Sequence, residues 1–272
     1  MSLRFGVYGL VDGKIIEELE KLKEFNTVEK VYFEDSLANQ LDIKGYSLDE
    51  MIEEDINFVM SVGGDGTLLR LLQCVDLPAL GVNTGTVGFL TSTEISEVRD
   101  ALEKIDQDDY FIDKRMKLDV FLNGEKESEC VNEVVVHSDK IAKLREIELI
   151  YGSKLIDSFR ADGLIISTPT GSTSYGLSSG GPIVNPELDV YISVPIASFD
   201  LDAKPHVLPS NRSIEIRLPE EEKTCLMVMD GQKECIVGQE DKIEVKKSDN
   251  RAKFIRFEDD FYERVKKKLV KR

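Results

Sequence analysis

The sequence is poor in the residues that build disulfides and metal centres. It has four cysteines, none paired in Cys-x-x-Cys spacing, and only two histidines, His137 and His206. This pattern fits reduced structural thiols better than disulfides or a zinc site, and two histidines are too few for a histidine-rich centre. We therefore expect no metal site built by the protein alone.

Long apolar runs are also missing. No segment approaches the roughly 18 apolar residues of a membrane span, and the residues after Met1 lack the apolar stretch of a signal peptide. These two absences predict a soluble, cytoplasmic protein that does not bind in a membrane.

Positive charge is in the minority. The chain has 35 Lys and Arg against 52 Asp and Glu, a net charge of −17 at pH 7. Such a chain repels nucleic acid and anionic lipid, so we expect neither as a partner, although solubility alone is the safer explanation of the acidity. A phosphate-bearing ligand must then be held locally, by backbone N–H groups, a few basic side chains or a metal ion.

The first part of the chain alternates strand and helix patterns. This alternation predicts a Rossmann-like α/β domain with a parallel sheet, over residues 1–110. The expected strands are Arg4–Tyr8, Val28–Phe33, Ile56–Val62 and Ala79–Val82. The expected helices are Thr67–Cys74, Glu97–Ile105 and a stretch in which Ile15, Ile16, Leu19, Leu22 and Phe25 recur at helical spacing.

From about Lys117 the pattern changes to many short strands. Residues 117–122 alternate in polarity and lead into Asn123-Gly124, a strong signal for a two-residue hairpin. The pattern predicts a β-rich, sandwich-like domain over residues 111–250. A helix is expected at the end, over Asp259–Val270. Further strands are expected at Val134–His137, Glu146–Tyr151, Lys154–Phe159, Leu164–Ser167, Val190–Pro195, Ser213–Leu218, Cys225–Met229 and Lys242–Val245.

The first motif that carries chemistry is Gly63-Gly64-Asp65-Gly66-Thr67. It lies between an apolar strand and a helix, where open α/β sheets bind ligands. The N–H groups of Gly63, Gly64, Gly66 and Thr67 can form a nest for phosphate, and Asp65 can meet a hydroxyl nucleophile or an ATP-bound cation. A tight turn would explain two glycines but not a carboxylate among three. The motif therefore predicts a site for a phosphate-bearing ligand.

The second motif is Thr170–Pro182, TGSTSYGLSSGGP, which follows RADGLIISTP at 160–169. Small hydroxyl residues and glycines offer many short donors and acceptors without bulk, which suits a flat purine and its ribose. The alternative is an ordinary Ser/Thr/Gly-rich loop between strands.

These segments resemble the NAD kinase family. GGDGT alone resembles a signature that NAD kinases share with diacylglycerol-type lipid kinases and, more loosely, phosphofructokinases, whereas 170–182 is similar to the long NAD kinase signature. Three shorter segments agree in order: NTGTVGFL at 83–90, Asn132-Glu133 and Asp230-Gly231-Gln232. The resemblance therefore extends from about Ser61 to Gln232.

The resemblance implies transfer of a phosphoryl group from ATP or polyphosphate to the 2′-hydroxyl of the adenosine ribose of NAD, with Mg²⁺ or another divalent ion accompanying ATP. It makes Asp65 the catalytic acid/base, and Asn132 and Glu133 the pair that holds the adenosine portion. The full set of NAD contacts that it implies is Gly66, Phe89, Asn132, Glu133, Lys143, Arg160, Asp162, Thr173, Ser174, Tyr175, Gly176, Leu177, Ser178 and Gln232.

Several of these residues have plain structural alternatives. Phe89 would serve equally as a core residue after a glycine turn, Lys143 as a surface lysine, and Gln232 as part of a turn after a strand. The family often has Ala and Ser where this chain has Ser174 and Gly176, a change that leaves the backbone pattern intact.

The stretch Ile192–Pro209 lacks the His-Ser-Leu run of many bacterial members and looks more like archaeal ones. The family's contacts there with a neighbouring subunit are therefore in doubt. The resemblance also implies that residues 251–272 return to the first domain, and that the protein is a homodimer or homotetramer.

Two rival functions differ from NAD kinase in testable ways. A lipid kinase would explain GGDGT but not residues 170–182, and activity on diacylglycerol would support it. A non-catalytic NAD(P)-binding sensor could have lost Asp65, which this chain retains; NAD binding without turnover would support it.

Overall fold

The computed structural model describes residues 3–9, 27–85, 88–221 and 223–269. They form two compact units. The α/β unit contains the described residues up to Lys114 and those from Ala252 onward, and the β unit runs from Arg115 to Arg251. Within the described ranges, no helix has the length and apolar character that crossing a membrane requires.

The element bounds are as follows. The strands are β1 (Leu3–Gly9), β2 (Val28–Phe33), β3 (Phe58–Gly63), β4 (Ala79–Asn83), β5 (Thr93–Glu94), β6 (Phe111–Leu122), β7 (Glu125–Cys130), β8 (Glu133–Ser138), β9 (Arg145–Tyr151), β10 (Lys154–Ala161), β11 (Gly163–Ser167), β12 (Val190–Ile196), β13 (His206–Pro209), β14 (Ile214–Arg217), β15 (Cys225–Met229), β16 (Lys233–Val237) and β17 (Ile243–Arg256). The α-helices are α1 (Asp35–Gln40), α2 (Leu48–Glu53), α3 (Asp65–Cys74), α4 (Val98–Asp106), α5 (Tyr175–Ser178) and α6 (Phe261–Leu269).

The α/β unit is built on a parallel sheet. Its strands lie in the order β4, β3, β1, β2, and Phe254 near the end of β17 pairs with Ala79 on the outer side of β4. Every residue of β3 and β4 is buried, as expected for central parallel strands whose two faces are covered. The rings of Phe5 and Phe58 stack in the core, with centroids 5.0 Å apart. The predicted parallel sheet is confirmed.

The β unit contains two antiparallel sheets. One includes β10, β9, β14 and β17, and the other has the order β13, β12, β11, β8, β15, β16. Side chains from both sheets, among them Leu149, Leu164 and Met227, form one buried cluster. This is the packing of a sandwich, because two antiparallel sheets bury their inner faces against each other. The predicted fold class, an α/β domain followed by a β-rich one, is confirmed.

The predicted hairpin at Asn123-Gly124 is also confirmed. Both residues have positive φ, 54° and 89°, and they join β6 to β7 in antiparallel register. Two consecutive positive φ values are the mark of the tight turn that matches the twist of paired strands. At the base of this hairpin, Lys117 and Glu129 form a buried ion pair.

Several elements differ from the sequence-based expectation. Helices α1 and α2 and strands β7, β13 and β16 were not expected, and β17 is 14 residues long where only Lys242–Val245 was expected. The sequence of β7, EKESEC, has no apolar alternation, and it is a strand because the hairpin turn pairs it with β6. The helix expected around Ile15–Phe25 lies outside the described residues.

Candidate active site

Asp65 lies at the junction of β3 and α3, at the edge of the sheet where the parallel strands end. β3 ends at Gly63, and Asp65 is the first residue of α3. Gly63 has φ of 152°, and a Cβ there would lie 2.5 Å from Thr67 Oγ1, so this turn requires glycine. Gly64 and Gly66 are exposed and Thr67 is half-buried, so the predicted phosphate-binding residues after Gly63 reach the surface at the start of the helix.

The Asp65 carboxylate accepts three consecutive backbone N–H groups, which we call the Asp65 cradle. The N–H of Phe89 donates to Oδ2 at 2.6 Å, and those of Leu90 and Thr91 donate to Oδ1 at 3.1 Å each. A carboxylate has about four lone-pair positions. Donors from the described residues use three of them, which leaves one position on Oδ2 for a hydroxyl donor.

Gly88 provides the space that this arrangement needs. Its N–H donates to Thr91 Oγ1 at 3.1 Å, which closes the turn that presents the cradle. A Cβ on Gly88 would lie 1.8 Å from Asp65 Oδ1 and 2.2 Å from Asp65 Cγ. The carboxylate therefore occupies the space that any side chain at position 88 would need.

In the β unit, Asp230 organises a second polar cluster. It follows β15 with a positive φ of 46°, a conformation that Asp tolerates better than most residues. Its buried carboxylate accepts the N–H groups of Val131, Asn132 and Glu133 at 2.7, 2.8 and 2.9 Å. These three bonds fix the backbone at the start of β8.

Glu133 is a buried carboxyl group in this cluster. Burial raises its pKa to about 8, the negative charge of Asp230 adds to this, and the hydrogen bond from Ser174 opposes it. Ser174 Oγ donates to Glu133 Oε1 at 3.1 Å. Glu133 is therefore mostly protonated at neutral pH and can donate a hydrogen bond as well as accept one.

The segment from Thr168 to Ser178 packs on the start of β8. Thr168 donates from its N–H to Asn132 O at 2.8 Å and from its hydroxyl to Val131 O at 2.6 Å. A Cβ on Gly171 would lie 2.5 Å from Asn132 O, so the close approach requires glycine. The segment continues as a 3₁₀ turn over Thr170–Thr173 and then α5, in which Gly176 is buried, Leu177 is half-buried, and Tyr175 and Ser178 are exposed.

Three buried oxygen atoms in this cluster have no hydrogen-bond partner among the described residues: Asn132 Oδ1, Glu133 Oε2 and Thr170 Oγ1. Buried polar atoms are nearly always hydrogen-bonded in folded proteins. They lie on two segments that pack against each other, the start of β8 and the 3₁₀ turn, and buried oxygens of this kind suit a polar ligand.

Other predicted site residues make their contacts elsewhere. The Arg160 side chain lies 3.7 Å from Asp200 and stacks over Phe199, while Lys143 is exposed in the loop before β9. The backbone of Asp162 bonds to Ser138 and Ile196, and the N–H of Gln232 closes a turn with Met229 O. Thr173 Oγ1 donates within its own 3₁₀ turn, to Thr170 O. The structure thus brings Asn132, Glu133 and Ser174 into one cluster, with Thr173 beside it through Thr170. The side chains or backbones of Lys143, Arg160, Asp162 and Gln232 make these contacts with other residues.

Within the described ranges, no group of three or more His, Cys, Asp or Glu side chains could hold a metal ion.

Comparison with known proteins gives a consistent result. The family model of the ATP-NAD kinase N-terminal domain matches residues 3–110, and that of the ATP-NAD kinase C-terminal domain matches residues 131–257. The NAD kinase of Methanosarcina acetivorans is 39% identical over 251 residues, covering 91% of each chain. The chain belongs to the NAD kinase family.

Further relatives agree with this assignment. The NAD kinase of Methanothermobacter thermautotrophicus is 37% identical over 271 residues, covering 98% of this chain and 88% of the relative. The solved structure of an NAD kinase from Archaeoglobus fulgidus in complex with ATP is 30% identical, with a TM-score of 0.76, and covers 98% of this chain and 99% of that one. The resemblance to archaeal NAD kinases is confirmed.

The solved yeast NADH kinase complexed with NADH has a TM-score of 0.84 at 21% identity, over 98% of this chain and 87% of that one. At this identity it supports the fold.

The structure adds residues that the sequence analysis did not include among the site residues. Gly88, Leu90 and Thr91 surround the Asp65 carboxylate, and Asp230 holds Asn132 and Glu133. Gly88 and Leu90 lie in the NTGTVGFL segment and Asp230 in the DGQ element, so the motifs contained the signal. Nothing in the sequence marks Thr91.

Proposed function

We propose that this NAD kinase transfers the γ-phosphoryl group of ATP to the 2′-hydroxyl of the adenosine ribose of NAD, giving NADP. The observation that carries the proposal is the Asp65 cradle, in which a carboxylate at a glycine-rich strand–helix turn keeps one acceptor position for a hydroxyl group. Family membership supplies the identity of the two substrates.

Asp65 orients the attacking hydroxyl and accepts its proton. Because phosphoryl transfer has a loose transition state, the nucleophile needs accurate placement more than early deprotonation. The three N–H donors hold the carboxylate in one position, and the hydroxyl of the ribose donates to the remaining lone pair on Oδ2. The proton passes to this oxygen as the new phosphate ester bond forms and the bond from the γ-phosphorus to the β–γ bridging oxygen breaks, with ADP as the leaving group.

The donor phosphates lie at the start of α3 in this proposal. The exposed backbone at Gly64 and Gly66 and the positive end of the helix dipole both favour negative charge. We propose that a divalent ion arrives with ATP and is held by its phosphate oxygens, where it offsets their charge against a chain of net charge −17.

The β-unit cluster fits the adenosine portion of NAD chemically. Adenine and ribose offer an amino group, ring nitrogens and hydroxyls, which complement the buried oxygens of Asn132, Glu133 and Thr170. A protonated Glu133 also supplies a donor. We assign Asn132, Glu133 and Ser174 to this portion, and the roles of Lys143, Arg160, Asp162 and Gln232 stay predictions.

We also propose that the protein acts as a homo-oligomer in the cytoplasm. Phe199 and Leu201 are 63% and 88% exposed in one short segment between β12 and β13, an apolar surface that a second copy would cover.

The test is a coupled assay of the purified protein with NAD, ATP and Mg²⁺, in which an NADP-specific dehydrogenase reports the product. We expect Asp65→Asn to lower kcat by at least about a hundredfold, the range of a positioned acid/base, while NAD binding persists. Asp249→Asn is the matched control, because Asp249 is exposed on β17. Near-normal turnover in Asp65→Asn would refute the assignment.

The substrates are tested in the same format. Polyphosphate replaces ATP in one arm and diacylglycerol replaces NAD in another. NAD binding without turnover with either donor would favour a sensor, and phosphorylation of diacylglycerol would favour a lipid kinase.

A further inference from the structure

Arg264 on α6 connects the C-terminal segment to the Asp65 cradle. Its side chain is only 15% exposed, and its Nε donates to Asp260 Oδ2 at 2.7 Å, one helical turn earlier. Its Nη1 donates to the main-chain carbonyl of Thr91. A guanidinium group that a carboxylate holds in this way has little freedom, so it can fix the carbonyl that it contacts.

Thr91 is the residue on which the cradle depends. Its N–H donates to Asp65 Oδ1, its hydroxyl accepts the N–H of Gly88, and its carbonyl accepts Arg264. Thr91 as a whole residue is buried, with 1% of its surface exposed. Because the three bonds share one buried residue, a change at the carbonyl is transmitted to the N–H that holds Asp65.

Two further contacts attach the same segment to the C-terminal part of the chain. Lys268, one turn after Arg264, places its ammonium 5.3 Å from the ring centroid of Phe89. Ser92 Oγ donates to Ile255 O at 3.3 Å. Residues 89, 91 and 92 are thus each contacted by residues 255–268, although the GGDGT motif lies in the first quarter of the chain.

We propose that Arg264 is a positioning residue for Asp65: by holding the Thr91 carbonyl, it keeps the three N–H donors in the geometry that orients the carboxylate. The predicted effect on turnover rests on the proposed function, because it requires that the protein phosphorylates NAD. Arg264 itself touches no reacting atom, so its loss should affect the rate of the chemical step rather than the binding of NAD.

Kinetics give the first measurement. We expect Arg264→Met, which keeps the length but not the charge, to lower kcat roughly tenfold to a hundredfold, as a misplaced catalytic group does. The KM for NAD should stay within about twofold. Arg264→Lys keeps a charged donor and should recover part of the loss. Lys267→Ala is the matched control, because it removes an exposed positive charge from the same helix.

Chemical rescue separates positioning from a general loss of structure. Guanidinium ion added to Arg264→Ala at a concentration that does not unfold the protein should restore part of kcat and should not affect Lys267→Ala. A variant that had merely lost its fold would not respond.

Backbone hydrogen exchange tests the proposal without any activity. We expect the amides of Phe89, Leu90 and Thr91 to exchange about tenfold faster in Arg264→Met, the effect of losing one charge-assisted hydrogen bond, and to be unchanged in Lys267→Ala. If Arg264→Met proves unfolded throughout, Arg264→Lys takes its place, with a smaller increase expected at the same amides.

Unchanged exchange at residues 89–91, or a kcat for Arg264→Met equal to that of the control, would overturn the proposal. A wild-type protein without NAD kinase activity would instead refute the proposed function, while the exchange measurement would still decide the role of Arg264.

Discussion

Gly88 lies so close to the Asp65 carboxylate that no side chain fits at position 88. A methyl group there would lie 1.8 Å from Asp65 Oδ1, so the carboxylate must leave its three N–H donors if position 88 carries a side chain. We predict that Gly88→Ala lowers kcat in the coupled assay by about a hundredfold or more, a loss similar to that of Asp65→Asn.

The control for this substitution is Gly238→Ala. A methyl group at Gly238 would meet its nearest neighbour at 3.5 Å, an ordinary contact distance. Both variants should remain folded by circular dichroism. If Gly88→Ala retained the turnover of Gly238→Ala, Asp65 would not depend on the cradle.

Glu133 makes stability depend on pH. Its pKa is about 8 in the folded protein, whereas the ordinary pKa of a glutamate side chain, which applies to the unfolded chain, is 4.5. Between these values the unfolded chain loses the proton while the folded chain keeps it. The contribution of Glu133 to the free energy of unfolding is therefore fully present below pH 4.5, and it falls by about 1.4 kcal/mol per pH unit up to pH 8. Glu133→Gln removes this dependence.

We predict that Glu133→Gln raises the melting temperature relative to wild type at about pH 8.5, by an amount that shrinks toward about pH 5. Thermal unfolding of the ligand-free protein at several pH values measures the difference. Glu240→Gln, at an exposed position, controls for the loss of a carboxylate. A difference that did not change with pH would mean that Glu133 is ionised in the folded protein.

At the scale of elements, the two units use the same device at the ends of strands. Asp65 follows β3 and accepts the N–H groups of residues 89–91, and Asp230 follows β15 and accepts those of residues 131–133. In each case one carboxylate fixes three consecutive peptide groups. The bonds to residues 89–91 hold the Asp65 carboxylate in place, and the bonds to Asp230 hold the main chain at Asn132 and Glu133 in place.

The sequence predicts most elements because their patterns are local. β3 and β4 are short apolar runs, the hairpin has Asn-Gly, and α6 has helical spacing, so each is readable from adjacent residues. Helix α2 has six residues and buries only Met51, and it depends on a capping box between Ser47 and Glu50. Such a short helix has too little periodicity to be predicted.

The candidate site is predictable only in part for a similar reason. Asp65, Asn132 and Glu133 lie in motifs whose residue types indicate their chemistry. The donors that hold Asp65 are main-chain N–H groups, which any residue can supply, so Thr91, which lies just outside the NTGTVGFL segment, leaves no sign in the sequence. Arg264 contacts Thr91 across 173 positions, and one arginine in a basic helix resembles its neighbours.

At the scale of the whole molecule, the two units differ in continuity. The β unit is one uninterrupted segment, and its main cluster of buried side chains comes entirely from residues 116–245. The α/β unit is completed by residues after Ala252, since Phe254 pairs with β4 and Ile255 lies in its core.

We predict that residues 115–251 expressed alone unfold in urea as a cooperative unit. Residues 1–114 alone should lack a cooperative transition, because the strand and helix that complete their unit are missing. Joining residues 252–272 to 1–114 through a flexible linker is the control and should restore one. A cooperative transition in 1–114 alone would show that the C-terminal segment is dispensable for this unit.

Because the α/β unit is discontinuous in sequence, its folding can be completed only after the end of the chain has been synthesised. Ribosomes add about 5–20 residues per second, and domains usually fold as they emerge, the N-terminal one first. Here Arg264 is synthesised roughly 9 to 35 s after Thr91 at those rates, because 173 positions separate them. During that interval the nascent chain carries Asp65 and Thr91 without the arginine that contacts the Thr91 carbonyl. The Asp65 cradle, although its residues are synthesised early, is thus completed only after Arg264 has been added.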